Sequence, residues 1–145
     1  MRKQQSGVML LEALIAILIF SIGILGIVGM QASTIKASRD AKFRADAGLL
    51  ANELIGQMWV GARDGTTLQD NFQTNGAIYA PWAARVAAAL PGVTATVNQP
   101  TVAIVPGVVG PPQTSSTVTV VVRWQAPNEI PLNIVHSYSV VVQII

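Results

Sequence analysis

Apolar and polar positions fall into successive, differently patterned stretches along this chain. The first, Val8 to Met30, reads V-M-L-L-E-A-L-I-A-I-L-I-F-S-I-G-I-L-G-I-V-G-M and holds a single charge, Glu12. At about 1.5 Å of rise per residue these 23 residues make a helix of roughly 35 Å, enough to cross a bilayer core. A membrane-spanning helix is therefore predicted over 8–30. Gly23, Gly26 and Gly29 recur every third residue in its second half. They read as a small-residue face for close helix packing, or as a place where the helix can stretch.

Past Met30 the pattern turns helix-periodic. Phe43, Ala47, Leu50, Leu54 and Met58 mark one face at helical spacing, with Asp46, Glu53 and Gln57 mostly on others. Asp40 and Arg44 make a favourable i, i+4 pair. Gly61 and Gly65 end the pattern, so one helix is expected from Val8 to Val60, with 31–61 as the amphipathic continuation. A lone helix cannot hide such a stripe, so something must pack on it.

The middle is less regular. Asp64-Gly65 and Asn75-Gly76 are turn dipeptides. Pro81 through Leu90 is alanine-rich, opens with proline and is closed by Pro91-Gly92, which suits a short helix. Val93, Ala95 and Val97 alternate with polar residues and suggest a short strand, and Pro106 to Gln113 reads as a surface loop. The end is β. Val118, Val120, Val122 and Trp124 alternate in one strand, and Tyr138, Val140, Val142 and Ile144 in another, joined by a long loop from Gln125 to Asn133. Their β-branched faces offer the surface on which the amphipathic helix packs. The fold class expected is α+β, a long N-terminal helix on a small antiparallel sheet, with the globular domain over 62–145.

Composition changes this picture little. Hydrophobic residues are 51% and charged residues 11% of the 145, a bias that the apolar helix partly explains. There is no cysteine, which removes disulfides and thiol chemistry. The net charge of +2 invites a nucleic-acid reading. Without Arg2 and Lys3, however, seven basic side chains face seven acidic ones, and no basic patch with interleaved aromatics remains. No nucleic-acid partner is expected.

Candidate chemistry is sparse. His136 is the one histidine and has no cysteine or acidic cluster beside it, so neither a metal site nor a triad assembles around it. Asp64, Asp70, Asn71 and Asn75 lack the spacing of a calcium loop and read as solvated turns. Gly107 to Gly110 has no lysine or following helix to make a phosphate loop. Trp59, Trp82 and Trp124 read as core or rim aromatics. No enzyme, cofactor or metal is expected.

What stands out lies at the head of the apolar run. Met1 to Ser6 is short and basic, and the small residue Gly7 precedes the helix. An ordinary secretory signal carries its cleavage site after the apolar region. A cut after Gly7 keeps the helix and gives Val8 a free amine, with Glu12 at i+4 on the same face. A carboxylate in hydrocarbon is unfavourable unless it is paired or near the interface. Glu12 is thus either neutralised by an amine or snorkels to the headgroups.

Gly7 followed by Val8-Met9-Leu10-Leu11-Glu12 and an apolar helix resembles the prepilin signature of type IV pilins and type II secretion pseudopilins. The resemblance implies that a prepilin peptidase cuts the 1–7 leader after Gly7 and methylates Val8, and that Glu12 docks the subunit in a filament. The first mature residue in that family is most often phenylalanine, and valine departs from it. The V-x-V-x-W ending at Trp124 looks like the sheet of PilV-type minor pilins and I-type minor pseudopilins.

The function implied is that of a minor type IV pilin, which primes or modifies pilus assembly. Its partners are the peptidase, other minor pilins and the major pilin through the N-terminal helix, and the inner membrane. The leader is expected in the cytoplasm and the domain in the periplasm, then in the pilus. Lys36, Arg39, Lys42 and Arg44 beyond the helix argue the other way by charge count, and the resemblance decides the orientation. A minor pseudopilin of type II secretion is the alternative. A rival from another class is a single-span anchored binding domain that never assembles.

Overall fold

The computed structural model describes residues 6–61, 64–107, 115–127 and 134–145. It contains three helices, α1 (Ser6–Val60), α2 (Gly65–Phe72) and α3 (Tyr79–Ala89). Three strands follow, β1 (Thr101–Val105), β2 (Ser116–Trp124) and β3 (His136–Ile144). The strands form one antiparallel sheet in the order β1-β2-β3. The chain divides into two compact units, Met1–Arg39 and Asp40–Ile145.

The first unit is the apolar half of α1. Val8, Phe20 and Met30 are 68, 69 and 74% exposed, so no protein surface covers this stretch. The helix is long and apolar enough to cross a membrane. It runs unbroken through Gly23, Gly26 and Gly29, and a Cβ at any of them would meet nothing within 4 Å. Ser21 and Thr34 donate their hydroxyls back to the carbonyls of Ile17 (2.7 Å) and Met30 (2.9 Å). Such local bonds satisfy a hydroxyl that hydrocarbon cannot.

The second unit is built on the stripe. Ala47, Ala51, Leu54, Ile55 and Met58 are buried, with Phe43 and Leu50 packed at the margin. They join the inner face of β2, whose Val118, Val120, Val122 and Trp124 are buried in strict alternation. The ring of Tyr138 packs beside Gly48, 3.5 Å from where a Cβ on it would stand, an ordinary van der Waals contact. α2 adds Leu68 and Phe72, and α3 adds Trp82 and Val86. On β3, Tyr138, Val140 and Val142 are half-buried and Ile144 is buried. The expected helix-on-sheet α+β arrangement is present in this unit.

Several sequence readings are corrected. The described part of α1 runs from Ser6 to Val60 and covers the expected Val8 to Val60. Asp64-Gly65 is no free turn: Asp64 caps α2, and a Cβ on Gly65 would collide with Pro106. Asp70 and Asn71 consequently lie on α2 rather than in a solvated turn. Asn75-Gly76 is a turn, with Asn75 at φ 77°. A Cβ on Gly76 would press on the Asn71 carbonyl, so only glycine fits there. α3 begins at Tyr79, which places Pro81 in its first turn, where no N–H is needed.

The strand read at Val93–Val97 is absent. Thr94 instead closes a tight turn, accepting at Oγ1 from Val97 N (2.9 Å), and Val97 is 53% exposed. The strand is β1, eight residues past Val93, at Thr101–Val105. Asp40 and Arg44 do not pair, and the ion pair present among the described residues joins Glu53 to Arg85 (3.0 Å). Most of the loops read at Pro106–Gln113 and Gln125–Asn133, and the leader residues Met1 to Gln5, lie outside the described residues.

Candidate functional site

The candidate site is the head of α1. Gly7, Val8 and Glu12 all lie on this helix, exposed, with Val8 and Glu12 four residues apart on one face. Glu12 makes no hydrogen bond or ion pair among the described residues, and every side chain around it from Val8 to Ile19 is exposed. Among the described residues nothing neutralises this carboxylate. A cut after Gly7 changes the local electrostatics. The Val8 amine then adds a full positive charge to a helix N-terminus that already carries free N–H groups and partial positive charge. A carboxylate one turn away, on the same or a neighbouring helix, becomes its counter-ion.

The second unit holds its half of α1 firmly. Trp82 Nε1 donates to the Leu50 carbonyl at 2.9 Å, which ties α3 to the helix backbone. The Tyr79 hydroxyl donates to the Pro100 carbonyl at 2.6 Å, and burial pushes its pKa up. Glu53 and Arg85 add an exposed ion pair between α1 and α3, a type that contributes little. Trp82 and Trp124 are core residues, while Trp59 is 44% exposed and sits at the rim.

Elsewhere the chemistry stays thin. No group of three or more His, Cys, Asp or Glu side chains stands within reach of one ion among the described residues. His136 stacks on Trp124, with ring centroids 5.7 Å apart and planes 19° from parallel. A groove of about 410 Å³ between α3 and the 94–100 segment is walled by the methyls of Ala80, Ala83 and Ala87, with Asn75 and Gln99 at its rim. It holds no paired acid and base.

Two residues escaped the sequence reading altogether. Thr74 and Gln69 bond the outer edge of β1, Thr74 to Val102 and Gln69 to the Ile104 carbonyl. Side chains that reach 28 and 35 positions along the chain leave no local signature. Gly7, Val8 and Glu12, by contrast, were singled out from their register in the sequence, and the described helix carries all three. No family model matches the chain, no curated protein does, and no solved structure does.

Proposed function

We propose that the chain is a minor type IV pilin, a non-enzymatic filament component that primes or modifies pilus assembly once its leader is removed. One observation carries the reading. A single 55-residue helix presents a wholly exposed apolar half with one carboxylate, Glu12, five residues past Gly7, while its other half forms the core of a small α+β domain. An anchor that served only to tether would need neither the glycine nor the buried cost of that carboxylate. The prepilin peptidase is the first partner, and the major pilin and other minor pilins follow through α1. The inner membrane holds the chain before assembly, with the leader in the cytoplasm and the domain in the periplasm.

Processing is the first test. Intact mass of membrane-extracted protein should place the mature N-terminus at Val8, and show whether that residue is methylated. Gly7→Arg should remain an uncut precursor. Retention of Met1 to Gly7 in cells with a working prepilin peptidase overturns the proposal.

Glu12 tests assembly apart from folding. Pairing with a neighbour's Val8 amine turns an unfavourable buried charge into a register signal, and buried polar contacts are better attested for specificity than for stability. Glu12→Leu should insert, be cut normally and keep an unchanged melting curve, yet be depleted from sheared filaments. Glu12→Asp, with its shorter reach, should fall between the two. Equal amounts of all three in filaments would favour the anchored, non-assembling domain. Loss of protein export with surface pili intact would favour a minor pseudopilin.

A further inference from the structure

The two edges of the sheet differ. On β1 three of the four outward backbone groups of Val102 and Ile104 are already bonded. The Val102 N–H donates to Thr74 Oγ1 at 2.9 Å, and the Val102 carbonyl accepts from the Thr74 N–H and hydroxyl, each at 3.1 Å. Gln69 Nε2 donates to the Ile104 carbonyl at 3.0 Å. These bonds also fix the parity of the ladder. Because Val102 bonds outward, its pairing with Val120 is of the non-hydrogen-bonded kind. Alternation then makes Val120 and Val140 a bonded pair, and turns the N–H and C=O groups of residues 137, 139, 141 and 143 outward. Ser137, Ser139, Val141 and Gln143 are all exposed, and their backbone groups have no partner among the described residues.

Edge strands normally carry a charge, a proline, a bulge or a cover that prevents further pairing. Among the described residues β3 carries none of these. Its register is unbroken over all nine residues, and His136 to Ile145 contains no Lys, Arg, Asp, Glu or Pro. Beside it, Tyr138, Val140 and Val142 remain only half-buried on the helix side of the sheet, next to the fully buried row of β2. An apolar strip therefore borders an open ladder.

We propose that β3 accepts an added strand from a different protein. The occupant is an extended, uncharged segment with apolar residues at alternate positions, which extend the half-covered strip of Tyr138, Val140 and Val142. A second copy of this chain cannot extend the sheet in series. Head-to-tail addition of β3 to the next copy's β1 is closed by Thr74 and Gln69. Antiparallel addition of β3 to β3 relates the copies by a two-fold axis normal to the sheet. That operation sets the Asp40–Val60 parts of α1 in the two copies antiparallel and closes the pair, an outcome that the self-association readout below detects.

The probe is a fluorescein-labelled peptide alternating valine and threonine, with a lysine beyond the paired segment, titrated into the detergent-solubilised full chain. Saturable binding is expected, with amide exchange slowed at Ser139 and Val141 and unchanged at Val102. Val141→Pro deletes an outward N–H without touching the β2–β3 ladder, so it should melt as the native chain does and bind about tenfold more weakly or worse. Ser139→Pro repeats the test at the neighbouring outward position if the first variant melts lower. Ser139→Ala keeps its N–H and should bind as before. Absence of saturable binding, or binding untouched by both prolines, overturns the proposal. Self-association of the chain that Val141→Pro abolishes overturns the choice of a different protein. None of these readouts depends on cleavage after Gly7, so they stand or fall apart from the pilin reading.

Discussion

Asp64 shows how much one side chain decides. Its carboxylate accepts from the Thr66 hydroxyl (2.7 Å) and the Thr67 N–H (2.9 Å), and so starts α2 where the chain leaves α1. The Thr66 bond first, and the Thr67 bonds after it, lower the Asp64 pKa from 3.8 to about 2. A depressed carboxyl pKa means that this contribution is complete above the unfolded value and fades as pH falls toward the folded one. Between pH 4 and pH 2 the melting temperature of the native chain should therefore drop more than that of Asp64→Asn, which caps but does not titrate. Circular dichroism melts across that window check it, and parallel curves would count against the cap. An Asp-Gly pair suits a turn and a helix start equally, because both use the aspartate to bond nearby N–H groups. What separates them is Leu68 and Phe72 burying at helical spacing beyond, a signal only two residues long. Thr74 and Trp82 were less legible still, since each bonds a backbone group far along the chain.

At the scale of elements, length and contrast decided what the sequence could reveal. β2 and the second half of α1 were readable because apolar period and burial coincide, as in the buried row from Val118 to Trp124, the first half of α1 by its unbroken apolar run, and β3 by its period-two alternation. β1 was hidden because its exposed positions are Ala103 and Val105, so alternating burial is written in uniformly apolar letters. Val93–Val97 had the converse fault, alternating in sequence while its backbone turns on Thr94. The stripe on α1 offers the sharpest test of an element. Leu54 is fully buried and Leu49, on the other side of the helix, is 69% exposed. Leu54→Asp places an unpaired carboxylate in the core and should cost several kcal/mol, about enough to abolish the cooperative transition of a domain this small. Leu49→Asp should melt as the native chain does. Thermal melts of the detergent-solubilised full chain compare the two, and equal curves would mean that the stripe does not pack as described.

Across the whole molecule, α1 is the segment that the two compact units share. The long apolar helix was legible from its length and composition, and the register of Gly7 and Glu12 at its head is written in the sequence. The open edge of β3 was half legible: its lack of charge is written in the sequence, but which backbone groups point outward emerges only from the bonds of Thr74 on the opposite strand. The shared helix also has a mechanical consequence. A pull applied at Asp40 along the Asp40–Val60 part of α1 acts parallel to that helix's axis. Ala47, Ala51, Leu54 and Met58 lie along that axis in one close-packed core. Such a pull loads them together in shear and does not peel them away one turn at a time. A domain with no cysteine thus resists tension through the direction in which its core is loaded, where a crosslinked domain would rely on a covalent bond.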